Sequence, residues 1–373
     1  MKISLIQRFE LLEDPRIDRS KLYPLGEVLL VVLGTILTGG ESYEDMRLFG
    51  LSKLDFLKGF MPFTNGIPSA DTFERVLSLL NPKTFNECFM EWTNDLKEDI
   101  PEIIAIDGKT LRGSKKPSRG LKPLHMVNVW AAHNRLILGS EAVHEKRNEI
   151  DAIPRILELL TLKGAIVTMD AMGCQKTITH QIVAKEGNYV IALKGNQGTL
   201  HQDVKDFFEL ETKTGFQEIE IEEHQTIEKG HGRLETRHYV LCNDIAWLKE
   251  RHPEWTTLQG IGFVHATREH KGGAQEETRY FITSLKTGVT SFSNAIRTHW
   301  SIENSLHWVL DVSFHEDSSR VRFKTATQNL AIIRRAALNL IQKDPNKKHS
   351  KKGKKLMAAW SEAYLKSLLL QSF

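Results

Sequence analysis

The chain has 373 residues, 40% of them hydrophobic and 26% charged, proportions of an ordinary folded globular chain that exclude a collagen-like or wholly disordered one. Fifty basic against 47 acidic residues leave a formal net charge of +3, but the charge comes in blocks: seven lysines and one acid from Lys343 to Lys355, seven acids and one lysine from Glu209 to Glu228, so a polyanionic partner is not excluded. The longest apolar run, Val28 to Leu37, is shorter than the roughly 20 residues of a membrane span, and Met1 to Ser4 is not followed by the apolar stretch of a secretion signal.

Residues 1–98 read as helical. Leu25 to Leu37 is an apolar helix, and Pro68-Ser69-Ala70-Asp71 opens another, with Glu74 three residues after Asp71 suggesting a capping box and with apolar positions Phe73, Val76, Leu77 and Leu80. Asn81-Pro82 ends it, and Phe85 to Leu96 begins the next. After Pro101 the pattern changes. Glu102 to Asp107 is an apolar run ending in an acid, Leu124 to Ala132 and Leu136 to Val143 read as a strand pair, and Glu149 to Leu160 as a helix. Ala165 to Asp170 is a second apolar run ending in an acid, followed by a helix near Lys176–Lys185, a strand Tyr189–Leu193 and a helix Leu200–Phe208. The order β-β-β-α-β-α-β-α is that of an α/β ribonuclease-H-like domain, with an antiparallel start and parallel strands after it. Four further strands, Glu218–Glu222, Leu234–Cys242, Ile261–Thr267 and Thr278–Thr283, read as a β-rich insertion at about 212–287. Ser293 to Val309 and Gln328 to Ile341 are helices, and Leu356 to Leu370 a last amphipathic one. The domains expected are therefore helical 1–98, catalytic 99–342 with its insertion, and a lysine-rich tract with a helix, 343–373.

Ligands of open α/β sheets gather at the carboxyl ends of strands. Asp107 and Asp170 both close apolar runs, on strands that the inferred topology makes neighbours. Two close carboxylates repel unless a cation lies between them, and a hard ion such as Mg²⁺ prefers oxygen ligands. The plainer alternative is that each acid caps the turn after it. Glu303, in His299-Trp300-Ser301-Ile302-Glu303-Asn304-Ser305-Leu306-His307-Trp308, is the third acid, with His299 and His307 one turn either side and Asp311, Glu316 and Asp317 as rivals. An exposed glutamate between histidines is the alternative there. Cys88, Cys174 and Cys242 are far apart and form no CxxC pair, so neither a zinc knuckle nor a disulfide framework is expected, and reducing cytosol is the expected compartment.

With these residues in place, the chain resembles the insertion-sequence DDE transposases of the ISAs group, the family that includes the H-repeat-associated proteins. The matching motifs are Ala105-Ile106-Asp107-Gly108-Lys109-Thr110, Val167-Thr168-Met169-Asp170-Ala171, Ala192-Leu193-Lys194-Gly195-Asn196-Gln197, Gly230-His231-Gly232-Arg233-Leu234-Glu235-Thr236-Arg237 and His299 to Asp317, in family order over roughly residues 5–342. The resemblance implies Asp107, Asp170 and Glu303 as the catalytic, metal-holding triad, with two Mg²⁺ ions (Mn²⁺ as substitute) per site. It implies cleavage of insertion-element ends and joining of their 3′-hydroxyls to target DNA by a homodimer on paired ends, in the bacterial cytoplasm at the nucleoid, with no membrane partner. Related transposases carry a Tyr-Arg-Glu-Lys signature around the glutamate. Here Ile296, His299 and Leu310 occupy the Tyr, Arg and Lys positions.

Gly108-Lys109-Thr110 resembles the tail of a phosphate-binding loop, but the glycine such a loop needs five residues earlier is Ile103, so nucleotide binding there is rejected. Contacts to double-stranded DNA are instead expected from Lys109, Arg112, Lys194, Asn196, Arg233, Arg237 and His299. A basic turn, a surface turn and a solvated strand face with cross-strand ion pairs are the plain alternatives. Trp300 and Trp308 read as core residues. The lysine tract adds sequence-independent affinity for DNA or serves as a linker. A domesticated DNA-binding relative without cleavage, and a metal nuclease without joining, are the competing functions.

Overall fold

The structure is a computed structural model that describes residues 4–98, 102–115, 122–143, 149–230, 233–270, 273–346 and 348–371. The chain begins with helices α1 (Leu5–Glu10), α2 (Leu25–Thr38), α3 (Tyr43–Ser52), α4 (Leu54–Leu57), α5 (Ala70–Leu79) and α6 (Pro82–Leu96). Then come β1 (Ile103–Leu111), β2 (Leu124–Ala131), β3 (Leu136–Val143), α7 (Glu149–Leu159), β4 (Ile166–Met169), α8 (Lys176–Ala184), β5 (Asn188–Leu193) and α9 (Gly198–Thr214). Strands β6 (Ile221–Gly230) and β7 (Arg233–Cys242), helix α10 (Ala246–Arg251), and strands β8 (Gly260–His270) and β9 (Gly273–Thr283) follow. The chain continues through α11 (Val289–Ile302), a π-helical turn Glu303–His307, α12 (Trp308–Phe314), α13 (Lys324–Lys343), α14 (Lys351–Trp360) and α15 (Glu362–Leu369). A helical N-terminal region thus precedes a mixed β-sheet region. The described residues cluster into two compact units, one drawn from 1–99, 108–146 and 303–373, the other from 100–107 and 147–302.

In the first unit, α2 is apolar on every side and Leu25 to Leu37 are all buried; a helix without a polar face belongs in a core. By length and composition alone Asp18–Thr38 would suffice to cross a membrane, but 72% of its apolar window is buried inside the protein. Helix α13 packs on α2, α5, α6 and β3. Its Asn329 amide donates to the carbonyls of Leu77 and Leu80, both at 2.8 Å, and so satisfies the end of α5. Asn339 accepts from the Ile137 N–H at 2.8 Å and donates to the Ile137 carbonyl at 2.9 Å, engaging backbone groups of β3 that the sheet leaves free. Helix α5 starts at Ala70, within the expected opening segment, but its cap is the Ser69 hydroxyl, which accepts the Thr72 N–H, and not the Asp71 carboxylate. Strands β2 and β3 form the expected antiparallel pair.

The C-terminal segment departs from the sequence expectation of a lysine tract and one helix. Lys351 to Lys355 are the start of α14, and Ser361 ends that helix and caps a second, accepting the Tyr364 N–H.

In the second unit the sheet order is β1-β4-β5-β9-β8-β7-β6. The first three strands are parallel, β9 joins β5 antiparallel, and β6 to β9 form an antiparallel meander. The insertion therefore extends the parallel sheet; its first strand begins at Ile221, so the expected Glu218–Glu222 is mostly turn, and the other strands are longer than expected, most of all β9. Phe292, Ala295 and Ile296 of α11 pack on Tyr239, Leu241, Val264 and Phe281 of the meander. Gly262 is required at that contact, since a Cβ there would lie 2.6 Å from the Phe292 ring.

Candidate active site

Strands β1 and β4 pair in register from Ile103↔Ile166 to Ile106↔Met169. Asp107 and Asp170 are therefore the next residues on two neighbouring parallel strands, about 4.8 Å apart in strand spacing. Both are half-buried. Strand β1 does not end at Asp107 as expected but runs on to Leu111; what ends there is its pairing with β4. Asp170 does cap a turn: its Oδ1 accepts the Met172 N–H at 2.9 Å at the start of the 3₁₀ turn Ala171–Gly173. Asn196 donates to the Ala171 carbonyl at 2.6 Å and Gln197 to the Cys174 carbonyl. The turn after β5 thus ties down the turn that carries Asp170.

The donors at these strand ends are carboxylate oxygens. Cys174, four residues past Asp170, is buried, and burial pushes its thiol up to about 12, so it offers no thiolate. A donor set of this kind suits a hard divalent cation and not a thiophilic one.

Glu303 belongs to the other unit and opens the π turn. The sequence predicted one regular helix here. Single π turns inside α-helices are found frequently at functional sites. The Glu303 side chain is 70% exposed, yet its Oε2 lies 3.0 Å from His307 Nδ1, and His307 is buried. Burial lowers the His307 pKa below its ordinary value, against the opposing pull of Glu303. The rivals named from sequence are engaged elsewhere. Asp311 holds the Lys109 ammonium with both oxygens at 2.7 Å. Glu316 is fully buried on Arg335. Asp317 accepts the Arg112 N–H at 3.1 Å. Gly113 sits against the same segment, and a Cβ there would lie 2.3 Å from the Asp317 carbonyl.

The basic residues expected at DNA divide into two sets. Lys109 is buried and its ammonium pairs with Asp311, with Asp317 at 3.6 Å. Arg237 is buried between Glu228 of the neighbouring strand (3.0 Å) and Glu235 of its own strand (2.6 Å), so the cross-strand ion pair of the plain alternative is present but its face is not solvated there. Its guanidinium and that of Arg279 lie 5.7 and 4.9 Å from the Trp300 ring. His299 is half-buried, with Nδ1 3.1 Å from the Thr168 hydroxyl. Arg112 and Lys194 are exposed. The Arg233 side chain and His231 lie outside the described residues. Trp308 is 56% exposed and not a core residue, which corrects the reading from its spacing.

Two residues of this region escaped the sequence reading. Asn128 is the one amide in the buried run Leu124–Ala131, and Arg335 is fully buried in α13. A carboxamide amid apolar strand residues was the available signal, since a buried polar group needs partners.

Two aspartates stand where the parallel pairing of β1 and β4 ends, in a mixed sheet preceded by a helical region, and a late helix is interrupted by a π turn that begins with a third acid. The chain belongs to the Transposase DDE domain family, which matches residues 98–340, and the DDE_Tnp_1-associated family matches residues 6–93. It is 36% identical over 376 aligned positions to the "H repeat-associated putative transposase YhhI" of Escherichia coli K12, covering 99% of this chain and 98% of that relative. It is 35% identical to the "Putative transposase YncI" of Escherichia coli O157:H7, over 98% of this chain and 94% of that one. A shorter relative, the "Inactive transposase YbfQ" of Escherichia coli K12, aligns over 74 residues at 36% identity, 20% of this chain and 88% of its own.

Proposed function

We propose that the protein is a DNA transposase that cuts the ends of an insertion element and joins the freed 3′-hydroxyls to target DNA, with Asp107, Asp170 and Glu303 as its metal-holding carboxylates. The observation that carries this reading is the β1–β4 register, which makes the two aspartates neighbours at the end of a parallel pairing, in a chain of the transposase family. The catalytic domain is read as ribonuclease-H-like over 99–342 with the meander as its insertion at about 212–287, preceded by a helical domain 1–98 and followed by 343–373.

Two Mg²⁺ or Mn²⁺ ions, when bound, activate the attacking oxygen and neutralise the leaving one. The protein's own task is placement. Asp170 commits one oxygen to the Met172 N–H, which fixes its carboxylate plane and leaves the second oxygen for the ion. Asn196 holds the turn behind it. Exposed Arg112 and Lys194 are the proposed phosphate contacts. Attack by water and then by the 3′-hydroxyl needs no covalent enzyme intermediate, in keeping with a site of carboxylates. The partners proposed are the terminal inverted repeats and target DNA, bound by a homodimer that processes two ends together in the bacterial cytoplasm.

The test incubates purified protein with the DNA flanking its coding sequence and Mg²⁺. Cleavage at the 3′ ends with joined products supports the reading. Cleavage without joining makes the protein a nuclease, and specific binding of the ends with no cleavage in Mg²⁺ or Mn²⁺ makes it an inactive DNA-binding derivative.

A further inference from the structure

We infer that His307 is a positioning residue for Glu303: a buried polar relay running from Glu316 through Arg335 and Asn128 fixes its imidazole as the Nδ1–H tautomer, which donates to the Glu303 carboxylate. This rests on the reading of Glu303 as a metal-holding acid.

The relay is built within the first unit from four elements: the 3₁₀ turn Glu316–Ser318, α13, β2 and the π turn. The side chains of Arg335 and Glu316 are both 0% exposed. A guanidinium only donates, and each of its bonds therefore assigns its partner as an acceptor. Arg335 Nη1 donates to Glu316 Oε1 at 2.8 Å and to the Ala331 carbonyl at 2.8 Å. Its Nε donates to Asn128 at 2.7 Å, so the Asn128 atom on that side is the amide oxygen. The Asn128 nitrogen then points the other way, toward the Met126 carbonyl at 3.4 Å and His307 Nε2 at 3.5 Å. An amide nitrogen only donates, so Nε2 faces a donor and keeps its lone pair. The proton of a neutral ring accordingly sits on Nδ1, 3.0 Å from Glu303 Oε2. This is the less favoured tautomer of a free imidazole, so the surroundings must select it.

The consequence falls on a side chain that is otherwise loose. Glu303 is 70% exposed, and an exposed glutamate samples many rotamers. One bond to a buried, immobile ring restricts it and occupies Oε2, leaving Oε1 for an ion. Ligands of metal sites are commonly oriented by such outer partners, and losing one costs about 10–100-fold in metal affinity or activity.

The tautomer can be read directly. The protein, labelled with ¹⁵N at its 15 histidines, is examined without metal at neutral pH by long-range ¹H–¹⁵N correlation, and the His307 signals are assigned by their disappearance in His307→Gln. The inference expects a protonated Nδ1 and an unprotonated Nε2; a protonated Nε2, alone or with Nδ1, overturns it. Mn²⁺ binding, followed by loss of the free-ion EPR signal, gives the second readout. His307→Phe fills the volume without a donor and should weaken binding about 10–100-fold. His307→Gln, which can accept from Asn128 and donate to Glu303, should restore most of it, and equal weakening by both variants would reduce the ring to a space filler. Cleavage by Glu303→Ala separates this inference from the reading beneath it. Activity retained there removes Glu303 from the site whatever the tautomer. Activity lost with a protonated Nε2 in the wild-type protein leaves Glu303 in place and refutes the relay alone.

Discussion

The lysine tract and the π turn are opposites in sequence and in structure. Lys343 to Lys355 is the most basic stretch of the chain, yet much of its charge is spent inside the first unit. Lys343 pairs with Glu98 at 3.1 Å. Lys354 is buried and donates to the carbonyls of Ile341 and Asp344 and to the Asp344 carboxylate, all at 3.0–3.1 Å, so it caps the last turn of α13. Lys355 is buried, donates to the Ser313 carbonyl at 2.6 Å and lies over the Phe314 ring. Lys348 and Lys352 are exposed, and Lys347 lies outside the described residues. The π turn looks from its sequence like two turns of ordinary helix, and it presents an exposed carboxylate backed by a buried relay. Formal charge records what a residue carries; availability depends on whether the fold supplies it with partners.

That contrast can be broken at several points. The largest effect is expected from Asp107→Ala, Asp170→Ala or Glu303→Ala. Each should reduce end cleavage on the order of 10³-fold or more, since several kcal/mol of charge stabilisation depends on the ions they hold. Full cleavage by any one removes that residue from the triad. Next comes Arg335→Met, which strands the buried Glu316 carboxylate. Removing one partner of a buried pair costs about 3–5 kcal/mol, measurable by urea denaturation; a loss below about 1 kcal/mol would mean that the pair contributes little to the fold.

Smaller and more diagnostic is the comparison of lysines. Lys354→Met should cost about 1–3 kcal/mol of stability, by leaving the α13 carbonyls and Asp344 without their donor, with no change in the salt dependence of DNA binding. The double variant Lys348→Ala/Lys352→Ala should leave stability unchanged. It should flatten the slope of log affinity against log salt by about 1.8 if both lysines meet phosphates. Equal slopes for wild type and double variant would make the whole tract structural.

The smallest effect is a pH dependence. Burial pushes the Lys355 ammonium down to about 8, against the pull of Glu41. The folded state therefore binds fewer protons than the unfolded one between pH 8 and the ordinary lysine range, and this residue's contribution to stability rises with pH through that window. Lys355→Met removes the term, so the stability of wild type relative to the variant should increase from pH 8 to 10. A constant difference would show that Lys355 titrates normally.

Much of the fold was legible because local pattern and tertiary role agree. Helices α2, α5 and α6, strands β2 to β5 and their order follow from periodicity, turn residues and proline placement. Adjacency of β1 and β4, and with it the pairing of Asp107 and Asp170, follows from the topology that this order permits. Other features were not legible. The end of β1 at Leu111 instead of Asp107 depends on which neighbour the strand pairs with. The split of the last helix depends on Ser361 finding the Tyr364 N–H. The π turn has no periodicity of its own, and Asn128 and Arg335 gain meaning only from each other, although they are 207 residues apart in the chain.

The sequence by itself determined most of the elements from α5 to β5, their order, the family and the positions of the acids along the chain, because each is encoded in residues close together in the chain. Tertiary structure alone decided which charges remain available. A lysine at 109, 354 or 355 reads the same as one at 194 or 352 until its partners are known. Those partners arrive from distant segments, and the energy of a charge is set by what surrounds it.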